Sequence, residues 1–338
     1  MKKIFYAMCA AAMAAVGCAD ADSARLGQGQ EVSGTGTMSV TLKYDSPVSK
    51  SPGDYDFVLT EENLVNDVQV LVFDNVSGRL ERSVSLSSVD DGCMFQLPVG
   101  TKMIYALING PDVARVRDLD GFQALVDDLS QRDYVSEGFA MLGSSVCEVE
   151  ADAVAYPVVE VGRMVARVVL RSVKCNVARQ YEGMTVDCVF LGNAATQQTL
   201  GGVSSSWMNV GGYMDAAKER PLGLDGVVGD CSSYLYRSMG CELAVGQTYE
   251  QPVCMYCHPN SGSDYTCLYI LATIGGQKCY YRVPLDKGLV SNVTCAVDAV
   301  ITNLGAPLPP DGDIQKGEIV ATVSIQGWAI GDLYNAEF

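Results

Sequence analysis

Histidine is almost missing: His258 is the only one in 338 residues, and tryptophan occurs twice. A hydrolytic triad would have to use that one imidazole, yet no GxSxG elbow is present and nothing nearby supplies its partners. Glycine-rich phosphate loops of the Walker or dinucleotide form are also absent, which removes the usual cradle for a nucleotide. Basic residues are scarce, 23 against 40 acidic ones, and the resulting net charge of −17 with no basic stripe excludes nucleic acid as a partner. There is no second CxxC to complete a zinc site, and the acidic residues of LPPDGDIQ lack a calcium-loop pattern, so no metal or cofactor is expected. Beyond the first residues no stretch reaches about 18 consecutive apolar residues, the length needed to span a bilayer.

What is present favours strands. The chain is 48% hydrophobic with 34 glycines and 12 prolines, and rich in Val, Thr, Ser and Tyr, residues that suit pleated sheets and turns. In TMSVTLKY the residues Met38, Val40, Leu42 and Tyr44 fall on one face and Thr37, Ser39, Thr41 and Lys43 on the other, the period of a half-buried strand. The following DSPVSKSPGDYD carries Pro47, Pro52 and Gly53 and reads as an exposed loop. DVQVLVFDNVSGRLERSVSL reads as two strands around a turn at Asn75 to Gly78, and GTKMIYALING as a further strand. Leu119, Phe122, Leu125, Val126 and Leu129 recur at helical spacing and predict one short helix. YTCLYILATIGGQKCYYRVPL predicts a hairpin turning at Gly275 and Gly276. SNVTCAVDAVITNLG alternates again, whereas residues 196 to 251 read as long loops with short strands. The expected fold is mainly β, with a domain boundary near Gly162.

The first residues, MKKIFYAMCAAAMAAVGCADAD, have the order of an export signal: Lys2 and Lys3, an apolar run from Ile4 to Val16, then small residues. AAVGC further suggests a lipoprotein signal over residues 1–17, cut after Gly17 and acylated on Cys18; a plain secretory signal is the alternative. Several acyl chains would anchor the protein stably, at about 0.8 kcal/mol per buried methylene. Asp20 and Asp22 look like a surface-export tag or a solvated linker, within a Gly-rich tether over residues 18–34. Setting aside Cys9 and Cys18 leaves 11 of the 13 cysteines, an odd number, for which structural disulfides mixed with buried thiols are the default in an exported protein.

Three groups could carry chemistry or binding. Cys254 and Cys257 with His258 form a CxxC-type group, but Pro-rich, strand-like flanks suit structural cysteines in a surface loop better than a thiol oxidoreductase. Arg163, Arg167 and Arg171 share an alternate strand face that could hold an anion, although a solvated or salt-bridged sheet face is the plainer reading. Trp207, Tyr213, Tyr234 and Tyr236 would be the contacts of a monomeric surface adhesin that holds a glycan or protein. A fourth feature lies at the end of the chain. Ile319, Ala321, Val323 and Ile325 alternate ahead of Trp328, either as a strand paired within its own sheet or as one donated to a neighbour.

The order and spacing of these motifs resemble the fimbrillin family of Bacteroidales, the subunits of type V pili. The resemblance runs over almost the whole chain: AVGC, GTMSVTLKYDSP, VQVLVFD, YALINGP with the short helix, GRMVARVVLRSV, AVDAVITNLGAP and ATVSIQGW. It implies two transthyretin-like β-sandwich domains, here residues 35–162 and 163–338, in a lipoprotein precursor that reaches the outer membrane and then a surface fimbrium. It implies assembly with other fimbrial subunits by strand exchange, in support of adhesion to host or bacterial surfaces and biofilm formation, and no enzymatic activity. A protease would cut in the loop after the first strand, releasing Met38, Val40, Leu42 and Tyr44, and the segment 319–338 of another subunit would take their place. One departure stands out: the arginine expected in that loop is absent from YDSPVSKSPGDY, where Lys50 is the only basic residue. With its terminal strand complete, a stalk or accessory-tip role fits better than an anchor.

Overall fold

The computed structural model describes residues 34–44, 60–131, 133–208, 214–215, 220–221, 232–260, 262, 265–286, 289–307 and 319–327. Strands dominate, and in the first half they are β1 (Thr35–Tyr44), β2 (Val68–Asp74), β3 (Leu80–Leu86), β4 (Cys93–Pro98), β5 (Gly100–Ile108), β6 (Val126–Asp128), β7 (Met141–Val149), β8 (Val154–Ala155) and β9 (Val158–Arg163). They pair in the order β3-β2-β5-β7-β9-β1-β4, with β8 also against β1. The pattern of each strand follows from what covers it. β2 is a nearly unbroken apolar run because Val68, Val70 and Val72 enter one core while Leu71 and Phe73 enter another on its opposite face. β5 does the same with Ile104, Ala106 and Ile108 against Tyr105 and Leu107. β1 and β4 cover one core on a single face and therefore alternate.

The second half contributes β10 (Ala166–Cys175), β11 (Gly183–Gly192), β12 (Ala194–Thr199), β13 (Ser204–Met208), a small ribbon of β14 (Met214–Asp215) and β15 (Arg220–Pro221), β16 (Tyr236–Ala244), β17 (Thr248–Tyr249), β18 (Val253–Cys257), β19 (Cys267–Ile274), β20 (Gln277–Pro284), β21 (Val293–Ile301) and β22 (Ile319–Gly327). One sheet runs β17-β10-β21-β22 with β18 beside β10, and another runs β16-β11-β19-β20. Their inner faces share a core that includes Val168, Phe190, Ile270, Tyr281 and Val297. A third sheet, β13-β12-β6, joins a strand from the first half to two from the second. Around it Phe73, Tyr105 and Phe122 pack with Met164 and Leu200, so apolar contacts also bridge residues on either side of Gly162. Among the described residues no helix is long and apolar enough to cross a membrane.

The mainly β architecture is the one expected, with differences of detail. The helix is shorter than its apolar spacing: it covers Leu119–Gln123, capped by Asp118, whose carboxylate accepts from the Gly121 N–H at 2.8 Å. Val126 to Asp128 instead pairs with β12, because a ladder with Gln197 to Thr199 outweighs the helical tendency of three residues. The run through GRMVARVV breaks at Met164 and Val165, two residues beyond Gly162. The hairpin turns at Gly275 and Gly276, both at positive φ, as a two-residue turn requires. The expected loops of residues 196–251 contain a nine-residue strand, β16, whose register shifts against β11 near Cys188. That irregularity, with Gly240 at φ 59°, obscures its alternation.

Phe122 is fully buried, 4.8 Å from the Tyr105 ring and 5.6 Å from that of Phe73. Phe122→Ala is expected to cost about 3–5 kcal/mol in equilibrium denaturant unfolding; a loss under about 1 kcal/mol would mean that this junction carries little of the stability.

Candidate functional site: the first and last strands

β1 is an interior strand. One edge pairs antiparallel with β4, Thr35 to Val40 against Pro98 to Cys93, and the other runs parallel to the chain from Val154 to Val161. Backbone N–H groups of Thr37 and Thr41 donate to the carbonyls of Ala153 at 2.9 Å and Pro157 at 3.1 Å. Met38 and Val40 are fully buried and Leu42 and Tyr44 pack against the same core from half-buried positions, which is the face read from the alternation. Each fully buried side chain of this size contributes about 1.5–3 kcal/mol. Gly36 sits in the same inward row at a closer approach: a Cβ there would collide with the Glu150 carbonyl oxygen and lie 2.8 Å from Val149 Cγ1. The first strand is thus held on both edges and on one face.

Its far end meets a buried polar cluster. Arg163 donates from Nη2 to Tyr44 Oη at 3.1 Å and to Asn63 Oδ1, and from Nε to the Glu62 carbonyl at 3.1 Å. Glu62 is wholly buried and accepts from Arg167 Nη1 at 2.8 Å and from Tyr256 Oη at 2.6 Å, while Arg167 Nε reaches Thr294 Oγ1 at 3.0 Å. Burial pushes the Tyr44 hydroxyl above its ordinary pKa, against the pull of Arg163, and lowers that of Arg163 despite Tyr44 and Glu62 beside it. Burial and the neighbouring Glu62 raise Tyr256 strongly. These contacts bear out the salt-bridged form of the expected arginine face rather than the solvated one, and they place it in the interior. Arg163 and Arg167 are 1% and 2% exposed, on two different strands, and Arg171 pairs with Asp298. Glu62, which neutralises the pair, lies in a short 3-10 turn with no pattern to mark it in the sequence.

The last described strand is placed differently. β22 pairs antiparallel with β21 from Ile301↔Ile319 to Val293↔Gly327, and among the described residues it is the outermost strand of its sheet. The register sets Ile319, Ala321, Val323 and Ile325 opposite Ile301, Ala299, Val297 and Cys295, four buried residues, and Ala321 packs against that core. Trp328 and residues 329–338 lie outside the described residues, as do Gly17, Cys18, Lys50 and Tyr213.

The remaining candidates turn out to be structural. Cys254 and Cys257 occupy β18, not a surface loop; both are buried free thiols, pushed up to about 11 and about 12 by burial, so neither is poised as a thiolate. Cys93, Cys188 and Cys279 are likewise free, and no disulfide joins any pair of the described cysteines, contrary to the mixed set expected. His258 is buried with Nε2 3.4 Å from Asp127 Oδ2, and its backbone N–H donates to the Ala195 carbonyl at 2.9 Å, which ties β6 and β12 to the end of β18. No group of three or more His, Cys, Asp and Glu among the described residues could hold a metal ion. Of the aromatics, Trp207 is 43% exposed, but Tyr234 is 1% exposed in the core and Tyr236 is half-buried, its hydroxyl raised to about 12 chiefly by burial. Among the described residues, Trp207, Tyr234 and Tyr236 therefore do not all present exposed rings.

No family model matches the chain, and no curated protein matches it in sequence. Solved structures do. A candidate cell adhesion protein of Parabacteroides distasonis shares 16% identity at a TM-score of 0.62, covering 87% of this chain and 98% of that one. A candidate cell adhesion protein of Bacteroides eggerthii shares 16% at 0.61, covering 89% and 98%, and a fimbrilin of Porphyromonas gingivalis 15% at 0.57, covering 88% and 98%. At these identities the likeness is one of fold, and its mainly β class is the one expected from the sequence.

Two substitutions separate the buried cluster from its exposed surroundings. Glu62→Ala strands the Arg167 charge and is expected to cost about 3–5 kcal/mol in denaturant unfolding. Lys43→Ala, which breaks the exposed 3.0 Å pair with Glu160, is expected to cost less than about 1 kcal/mol. Equal costs would contradict the assigned role of burial.

Proposed function

We propose that the chain is a non-enzymatic structural subunit of a surface fimbria, assembled when its first strand is cut away and the last strand of another subunit takes its place. The observation that carries this is the pairing of two strands with opposite situations. β1 is a ten-residue interior strand held on both edges, and β22 is, among the described residues, a nine-residue edge strand held on one. Removing β1 uncovers backbone donors and acceptors of β4 and of the segment facing it, together with the apolar sites of Met38 and Val40; an opening of that kind is filled or it aggregates. Releasing β22 uncovers one edge of β21 and leaves the rest of its sheet paired. Exchange therefore moves an edge strand into an interior position, which favours the assembled state. The fold shared with a fimbrilin supports the same reading.

On this proposal residues 35–162 and 163–338 are the two domains, and Cys18, freed by cleavage after Gly17, anchors the precursor to the outer membrane through lipid. Cleavage falls in the loop carrying Lys50, between β1 and the turn that begins at Thr60. The Glu62 cluster holds that turn in place, so that the chain after the cut stays attached while β1 leaves. Other copies or related fimbrial subunits are the partners, and the polymer serves adhesion and biofilm formation.

Low-dose trypsin on the mature protein is expected to remove the segment ending at Lys50 and to yield a ladder of oligomers on a mildly denaturing gel, and deletion of residues 319–338 is expected to abolish the ladder. Oligomers that persist in the deleted chain, or that never form after complete cleavage, would refute the proposal.

A further inference from the structure

The groove that β1 occupies is selective at one position. Inward-facing sites 38 and 40 accept buried side chains, but site 36 accepts none, since any Cβ would meet the Glu150 carbonyl oxygen and Val149 Cγ1. An incoming strand must therefore carry glycine there, followed at every second position by apolar residues. In the C-terminal segment the residues on the parity of Ile319 include three glycines, Gly317, Gly327 and Gly331. Placing Gly327 at site 36 puts Ala329 and Gly331 where Met38 and Val40 are buried, leaving cavities. Placing Gly331 there puts Asn335 in the fully buried site of Val40, a polar side chain without water. Placing Gly317 there sets Ile319, Ala321, Val323 and Ile325 in the sites of Met38, Val40, Leu42 and Tyr44.

We infer that the last strand of a second copy enters this groove in a single register, with Gly317 in the place of Gly36. This rests on the strand-exchange reading above and specifies its geometry. GTMSVTLKY and GEIVATVSI then fill the same nine sites with the same alternation, glycine first. A slip of two residues in either direction brings Ile319 or Gln315 to site 36 and is stopped by the Glu150 carbonyl. The exchange of Tyr44 for Ile325 removes one acceptor from Arg163, which keeps Asn63 Oδ1 and the Glu62 carbonyl.

The native chain holds a reporter for this register. Cys93 on β4 lies directly opposite Val40, so in the inferred register it lies opposite Ala321 of the incoming strand. Directly opposed Cα atoms in an antiparallel pair are about 4.5–5.5 Å apart, inside the span of a disulfide, and a position two residues away is displaced by about 7 Å. Mature chains carrying Ile319→Cys, Ala321→Cys or Val323→Cys are cleaved at Lys50, allowed to assemble and oxidised with copper phenanthroline. Cross-linked peptides are then mapped by mass spectrometry against the unsubstituted chain. Linkage to Cys93 of another copy is expected to peak for Ala321→Cys, roughly tenfold above the other two. A peak at Ile319→Cys or Val323→Cys, or oligomers without linkage to Cys93, overturns the register and leaves strand exchange standing. Absence of oligomers even in the unsubstituted chain overturns strand exchange itself. In parallel, Gly317→Val is expected to block assembly while leaving the thermal unfolding midpoint of the uncleaved chain unchanged; assembly at the normal yield also overturns the register.

Discussion

The first strand owes its importance to where it sits in the ladder: inside a sheet, with hydrogen-bonding neighbours on both edges and a core beneath it. A strand in that position is costly to remove, because its loss strands polar backbone on two sides and opens apolar sites on a third. At the same time the contacts are generic. Backbone ladders bind any strand, and alternating buried sites accept any apolar comb of suitable size. On the proposed exchange, the groove would be emptied once the chain is cut and refilled by a sequence that shares its period. Gly36 supplies the specificity that the ladder lacks, since a carbonyl oxygen fixed in the opposite segment tolerates no side chain there.

The rest of the molecule keeps this groove intact. Glu62 lies between Arg167 and Tyr256, and Arg163 reaches across to Asn63 and Tyr44, so that the turn beginning at Thr60 is bound to β9, β10 and β18. A buried charge with that many partners resists displacement, because any one partner lost leaves another unsatisfied. The β6–β12 pairing, the His258–Asp127 contact and the apolar group around Phe122 couple the two halves of the chain in the same way.

Much of this was legible in the sequence wherever one face of a strand is buried and the other is not. β1 and the hairpin at Gly275 announce themselves by alternation and by a turn that needs glycine. β7 was harder to see, because Gly143, Ser144 and Ser145 interrupt it; Gly143 is there so that the Glu160 carbonyl can approach. β16 was hidden by a bulge, and Val126 to Asp128 by a helical spacing that the β12 ladder overrode. The depth of the arginine cluster was hidden for a different reason. Its neutralising carboxylate comes from Glu62, 101 residues before Arg163 and in no regular strand, so spacing alone could not show that the arginines were buried. The buried cysteines follow the same logic: a CxxC pattern says nothing of depth, and depth decides whether a thiol reacts.

Hydrogen–deuterium exchange of the backbone amides in segments 93–97 and 158–161 tests the central claim most directly, because these segments form the edges that β1 covers. In cleaved, assembled protein they are expected to be as slow to exchange as in the uncleaved chain, and to exchange freely when residues 319–338 are deleted before cleavage. Protection that survives cleavage without the terminal segment would show that no incoming strand is needed to close the groove, and would contradict the account.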